Sequence, residues 1–432
     1  MRNRKLFFFE RIIYGDGTAP FNTIFPMKIS GHIDAIDVNT ALMVLQHKYE
    51  LLRSTVRLDP NGVPSISVDD HYKKIPIRMV DRRHDDQWMD ENIAEWETAF
   101  DMAVNPCMRV IWLKGTSVSE ILLVFHHCFC DGASGIALMQ DFLSFLDNPD
   151  QEISTVPLVY SMEEFIPKEI RDNQKIKNKV KLTNLLFKGL MLVSNLFRPK
   201  RKKCSQYYLH HWKLSKENTR FFLDKCKEEG VTVHAALCTA FLLSIKTLNR
   251  KSFLTKMSCP VDIRRYVPQM DVKSLWGFDL FVDLNLQSKE VVPFWHNVKL
   301  LNADLKTKLN KLDGYQAILF WESFNNSYDL VMKFMSNRAV DKSVLFSNLG
   351  LLTIPSNYNK FEIETIYSPS SKGAFGESTA LFTSTYKDQL DICFLSFENM
   401  LNQEDMALVK EQALTLMGLT ESVKKDAIQL DK

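Results

Sequence analysis

Glycine and proline are scarce, at 15 each in 432 residues. That excludes a collagen-like repeat and argues against a disordered chain. No apolar run approaches the roughly 18 residues of a membrane-crossing helix, so none is expected. There is no C-x-x-C pair. The eight cysteines (107, 128, 130, 204, 226, 238, 259 and 393) are scattered, most of them in apolar stretches, as free buried thiols are. Charge of one sign is not in excess: the formal net charge is +2, so the total carries no nucleic-acid signal. The apolar stretch Leu6 to Phe9 is closed by Glu10 and Arg11 and is too short for a signal peptide. Together these point to a reduced, cytoplasmic protein.

What is present is a globular composition, 45% hydrophobic and 25% charged, in a chain too long for one ordinary core. Helical and strand periodicities alternate on both sides of residue 200. Residues 34–49 have helical spacing, with Val38, Leu42, Leu45 and Tyr49 on one face and Asp37 as a candidate cap. Leu51 to Val56 reads as a strand. Residues 120–125 form a short continuous apolar run, as in a strand buried on both faces. A helix follows, with Ile136, Met139, Leu143 and Leu146 on one stripe, ending before Asn148-Pro149. Residues 233–248 are helical with Thr232 as cap, residues 278–286 alternate as a half-buried strand, and 390–397 read as a late strand after the Lys387-Asp388 turn.

Between the halves lies a basic segment. From Lys168 to Lys203 there are twelve Lys or Arg and two acids, a net of +10. Within it, Leu182, Leu185, Leu186, Leu190, Leu192, Val193, Leu196 and Phe197 span one arc of a helical wheel. Asn184, Lys188 and Asn195 form a narrow polar stripe opposite. This helix is too short to cross a bilayer about 30 Å thick. Three uses remain open for it: lying on an anionic membrane surface through 182–203, docking an acidic carrier protein, or packing its apolar face on its own protein. The organisation expected is a first lobe over 1–165, a basic amphipathic connector over 166–204 and a second lobe over 205–432.

The chemistry-bearing segment is His126-His127-Cys128-Phe129-Cys130-Asp131-Gly132, after the apolar strand and before the helix. Side chains at the end of a central strand face the crevice where α/β folds place ligands. Adjacent residues on extended backbone point to opposite sides, so one histidine can face a crevice while the other faces structure. Histidine is the natural general base near neutral pH. Two other readings use the same residues: a metal site built from His126, His127, Cys128, Cys130 and Asp131, or a cysteine nucleophile at 128 or 130. The second pair, His210-His211, has no following Asp-Gly and reads as strand surface.

His-His-x-x-x-Asp-Gly in this setting resembles the active-site motif of the chloramphenicol-acetyltransferase-like superfamily, which includes peptide-synthetase condensation domains, alcohol acetyltransferases and wax-ester synthases. Further segments agree in order. Residues 29–56 resemble the family's opening block with Leu52-Arg53-Ser54-Thr55. Pro260 to Arg264 resembles its mid-chain strand ending in arginine, Phe346 to Gly350 its S-N-x-G turn, and Phe394 to Phe397 its closing strand. The segment Leu275 to Asp279 differs from the D-F-G-W-G of plant BAHD enzymes, which favours the condensation and alcohol-acetyltransferase branch.

The resemblance implies an α/β fold of two α+β lobes forming a V with a tunnel between them. It implies that His127 is the general base, that His126 is a structural member of the motif, that Asp131 is structural and pairs with Arg264, and that Gly132 allows close backbone approach. Ser347, Asn348, Trp276 and Gly277 would line the substrate tunnel. The implied activity is acyl transfer from acyl-CoA or an acyl-carrier protein to an alcohol or amine, without an acyl-enzyme and with no bound metal or cofactor. The alternatives are an amide-forming condensation enzyme and a non-catalytic docking module.

Overall fold

The computed structural model describes residues 2–69, 71–194, 206–248, 254–275, 277–287, 292–336, 343–373 and 378–419. Two large mixed sheets organise them, each carrying helices, with a small three-stranded antiparallel sheet of Arg2–Lys5, Pro64–Val68 and Ser54–Leu58 beside the first.

The first sheet runs in the order Phe361–Ile366, Asn22–Gly31, Val118–His126, Met108–Lys114, Ile77–Asp81. Val118–His126 pairs antiparallel with a neighbour on each side and is buried from Ser119 to His126. That is the environment its unbroken apolar run requires. Helices Ala35–Lys48 and Gly132–Asp147 pack on each other, with Val38, Leu42, Leu45, Leu138 and Phe142 in the same core. The cap of the first helix is Asp34, which accepts from the Asp37 backbone N–H at 2.8 Å, rather than Asp37 itself. Leu51 and Leu52 sit in a short 3-10 turn, Glu50–Arg53, and the strand begins only at Ser54.

The second sheet runs Asp279–Asn285, Lys256–Asp262, Ser343–Leu351, Thr379–Tyr386, Gln389–Phe397, Tyr207–Lys213. The apolar helix Val233–Thr247 packs between Phe294–Leu309 and Gln403–Leu416. Thr232 caps it, its hydroxyl accepting from the Ala235 N–H at 3.2 Å. Asp279–Asn285 alternates buried Leu280, Val282 and Leu284 with exposed Phe281, Asp283 and Asn285, the pattern of a strand with one face covered.

One crossing departs from the division at residue 205. Phe361–Ile366 lies within the stretch assigned to the second lobe, yet it pairs antiparallel with Asn22–Gly31 and forms the edge of the first sheet. Ser370–Ser371 pairs with Ile24 and Thr23 on the same strand. The chain then returns to the second sheet at Thr379. The second lobe therefore contributes structure to the first.

Candidate active site

The central strand of the first sheet ends at His126, and a single 3-10 turn, His127–Phe129, separates it from the helix starting at Gly132. Strand alternation sends the two imidazoles different ways. His126 is 1% exposed. Its Nδ1 lies 3.0 Å from the Cys128 Sγ and accepts weakly from the Cys128 N–H at 3.4 Å. Phe100 and Tyr14 stand beside its ring. Burial, then the neighbouring His127 and Arg109, drive its pKa down to about 3. It is a neutral, enclosed residue.

His127 is half-buried. Its ring stacks on Phe21 at 4.8 Å between centroids, and its backbone N–H donates to the Phe21 carbonyl at 2.8 Å. Nδ1 is sealed from solvent and meets no partner at good hydrogen-bond geometry. Burial lowers the pKa of the ring, against the opposing pull of its own carbonyl, the Asp131 carboxylate and the Cys130 carbonyl. His127 is thus held neutral more firmly than a free imidazole.

Among the described residues, the Asp131 carboxylate hydrogen-bonds to neither ring. Its Oδ1 caps the following helix by accepting from the Ser134 N–H at 2.8 Å, and its Oδ2 accepts from Arg264 Nη1 at 2.8 Å. Asp131 and Arg264 are both almost fully buried. The guanidinium also donates to Asp262, to the Ser134 hydroxyl and to the carbonyls of Ser274 and Asp271. The network spans both lobes, since Asp131 and Ser134 come from the first and the rest from the second. Asp279 faces Asp262 across the antiparallel pair. Burial and the charges of Asp131 and Asp262 push its carboxyl well above the usual range.

Two glycines mark where the lobes touch. A Cβ on Gly277 would stand 2.0 Å from the His127 carbonyl oxygen, and one on Gly132 would stand 2.7 Å from Leu349 Cδ2. Any side chain at 277 would displace the histidine turn. Leu349 lies on the strand Ser343–Leu351, two and one positions beyond Ser347 and Asn348. Ser347 and Asn348 are half-buried there, within a bulged strand rather than in a turn after it. Asn348 Oδ1 accepts from the Gly350 N–H at 2.9 Å, and Gly350 takes φ +68°. Trp276 lies outside the described residues, as do Asn195, Leu196 and Phe197 of the connector.

The rival chemistries fare differently. Cys128 and Cys130 are buried, and burial raises both thiols far above their ordinary values, so neither is held as a nucleophilic thiolate. Among the described residues, the histidine segment does not gather three metal-ligating atoms. Two other groups do: His234, Cys238 and Cys259, and His211, Asp391 and Cys393, each with ligand atoms within 4.8 Å of one another. The first could have been found from the i, i+4 spacing of His234 and Cys238 on a helix. The second corrects the reading of His211 as strand surface. Its Nε2 lies 2.6 Å from Asp391 Oδ2, and its ring meets Trp88 and Tyr367 edge-on.

The family model for the condensation domain matches residues 5–277. The chain belongs to the condensation-domain family. Among curated proteins, this condensation-domain chain is 27% identical over 132 residues to a cyclosporin synthetase of Tolypocladium inflatum. That match covers 30% of the chain and only 1% of the synthetase. The fold is shared much more widely. A trichothecene 15-O-acetyltransferase of Fusarium sporotrichioides superposes with TM-score 0.70 at 15% identity, covering 96% of this chain and 94% of the other. The first condensation domain of the calcium-dependent antibiotic synthetase, in complex with a substrate analogue, gives 0.68 at 14%, with 97% and 96% covered. The two-lobe α/β architecture of the chloramphenicol-acetyltransferase-like superfamily is therefore that of this chain.

Proposed function

We propose that this condensation-domain protein is an acyltransferase. It moves an acyl group from a thioester, on CoA or a carrier protein, to an alcohol or amine. The observation that carries the reading is the division of labour in the histidine segment. His126 is sealed, Asp131 is committed to Arg264 and a helix cap, and His127 alone keeps a neutral ring with an accessible edge where the lobes meet.

With Nδ1 sealed, the acceptor's proton goes to His127 Nε2. As the acceptor O–H or N–H bond breaks, its oxygen or nitrogen bonds to the thioester carbonyl carbon. Collapse of that adduct breaks the C–S bond, and the leaving thiolate takes the proton back from His127. No acyl-enzyme forms, in keeping with thiols at 128 and 130 that are held protonated. General-base help of this kind is worth about 10²–10⁴-fold, with positioning adding more.

Relatives of two kinds support oxygen and nitrogen acceptors alike, one named as an O-acetyltransferase and others named as nonribosomal peptide synthetases. Mass spectrometry of products from a panel of acyl thioesters with alcohols and amines tests the proposal. Ester or amide products dependent on the protein support it. Absence of any product across CoA-bound and carrier-bound donors, with the thioesters recovered intact, favours a docking module instead.

A further inference from the structure

In the described part of the basic connector, a short helix, Lys168–Arg171, precedes a long one, Gln174–Ser194. It is about 30 Å long at 1.5 Å per residue. Its orientation is the reverse of a core helix. The face against the protein is that of Val180, Asn184, Phe187 and Met191. Met191 is 0% exposed and packs with Phe8, Ile12, Phe324 and Val331, and Asn184 is 7% exposed and donates to the Ser323 hydroxyl at 2.6 Å. The apolar arc points away from the molecule. Leu182, Leu185, Leu186, Leu190, Leu192 and Val193 are each between 56% and 67% exposed. Six large aliphatic side chains on one outward ridge far exceed the scattered apolar exposure normal for a soluble surface.

The same helix carries five lysines, at 175, 177, 179, 181 and 188, and no acidic residue. The first four are exposed. The combination narrows what can cover the ridge. A second copy would bring five lysines against five, which repel. A folded protein partner would need a groove matched to a convex ridge that has no side-chain hydrogen-bonding group of its own. A bilayer needs no groove, and anionic headgroups complement the lysines. No single described helix is long and apolar enough to cross a membrane, so the helix would lie on one rather than span it.

We propose that Gln174–Ser194 is a membrane-interface helix that lays its outward aliphatic ridge into the boundary between headgroups and acyl chains of an anionic lipid surface. The orientation docks the whole two-lobe molecule by one side. The test reads lipid binding, not turnover, and so stands apart from the acyl-transfer reading.

The full chain is sedimented with vesicles of phosphatidylcholine plus phosphatidylserine, and with vesicles of phosphatidylcholine alone. Wild type binds the anionic vesicles and is released by salt. The variant Leu185→Ser/Leu186→Ser/Leu190→Ser changes only exposed positions, so its thermal melt stays near wild type. Its partitioning falls at least about a hundredfold. The variant Lys175→Gln/Lys177→Gln/Lys181→Gln keeps the ridge and loses the preference for anionic vesicles. Three results overturn the proposal: no sedimentation of wild type, sedimentation unchanged by the leucine substitutions, or a wild-type dimer that these substitutions convert to monomer without any lipid binding. Equal binding to both vesicle types overturns the anionic requirement.

Discussion

At the end of a buried strand, one step along the backbone separates an enclosed imidazole from an open one. His126 and His127 are neighbours in sequence, yet His126 is enclosed and only His127 is partly open to solvent. Its lowered pKa has a consequence with a definite sign. A histidine held below its usual value near 6.5 remains a base at lower pH. The acid limb of kcat/KM is therefore predicted to have its midpoint below 6.5, and a midpoint at or above 6.5 in a pH profile contradicts the environment described. Arg264 makes a different prediction. It compensates the buried Asp131, and removing one partner of such a pair costs about 3–5 kcal/mol. Arg264→Ala should show that loss in the denaturant midpoint, and a midpoint within experimental error of wild type contradicts it. These roles were partly legible in the sequence. Alternation on extended backbone says that adjacent histidines part, but not which one is enclosed. Asp131 and Arg264 stand 133 positions apart, and only the motif resemblance joins them. His211 was misread because its partner, Asp391, lies 180 positions away.

Elements were legible where burial is uniform along them and obscure where topology decides. The run 120–125 reads as an interior strand and 233–248 as an apolar helix, and the structure has Val118–His126 and Val233–Thr247 there. The segment Phe361–Ile366 alternates like many edge strands, and nothing local tells it to join Asn22–Gly31 rather than a sheet of its own half. The connector's wheel shows an apolar arc without saying whether it faces in or out. Asp34 and Asp37 are equally good caps on composition, and only the backbone geometry chooses. The contact of Gly277 with the histidine turn is an element-level constraint with a clear test. Gly277→Ala must move the His127 carbonyl or the opposing segment. Misplacement of a catalytic group by about 1 Å can cost 10²-fold. We expect kcat/KM to fall at least about tenfold while the protein still melts cooperatively. Gly189→Ala, on an open helix position, is the control and should be neutral or slightly stabilising. Equal activity in the two variants contradicts the constraint.

On the scale of the molecule, the two sheets are tied by a strand exchange, by the Asp131–Arg264 network and by His211 with Asp391 against Trp88 and Tyr367. Residues 1–165 alone would leave the Asn22–Gly31 strand as an uncovered edge. That fragment is predicted to aggregate or to melt without a cooperative transition. A sharp, reversible melt would show the first lobe to be independent. Of these ties, the Asp131–Arg264 network adjoins the histidine turn, and the acyltransferase account rests on the imidazole there. The most direct measurement is the single-turnover rate of acyl transfer by His127→Ala beside wild type, with a thioester and an acceptor that wild type converts. With the fold confirmed by its melt, the variant should lose at least about a hundredfold in rate. A rate within a few-fold of wild type would contradict the account.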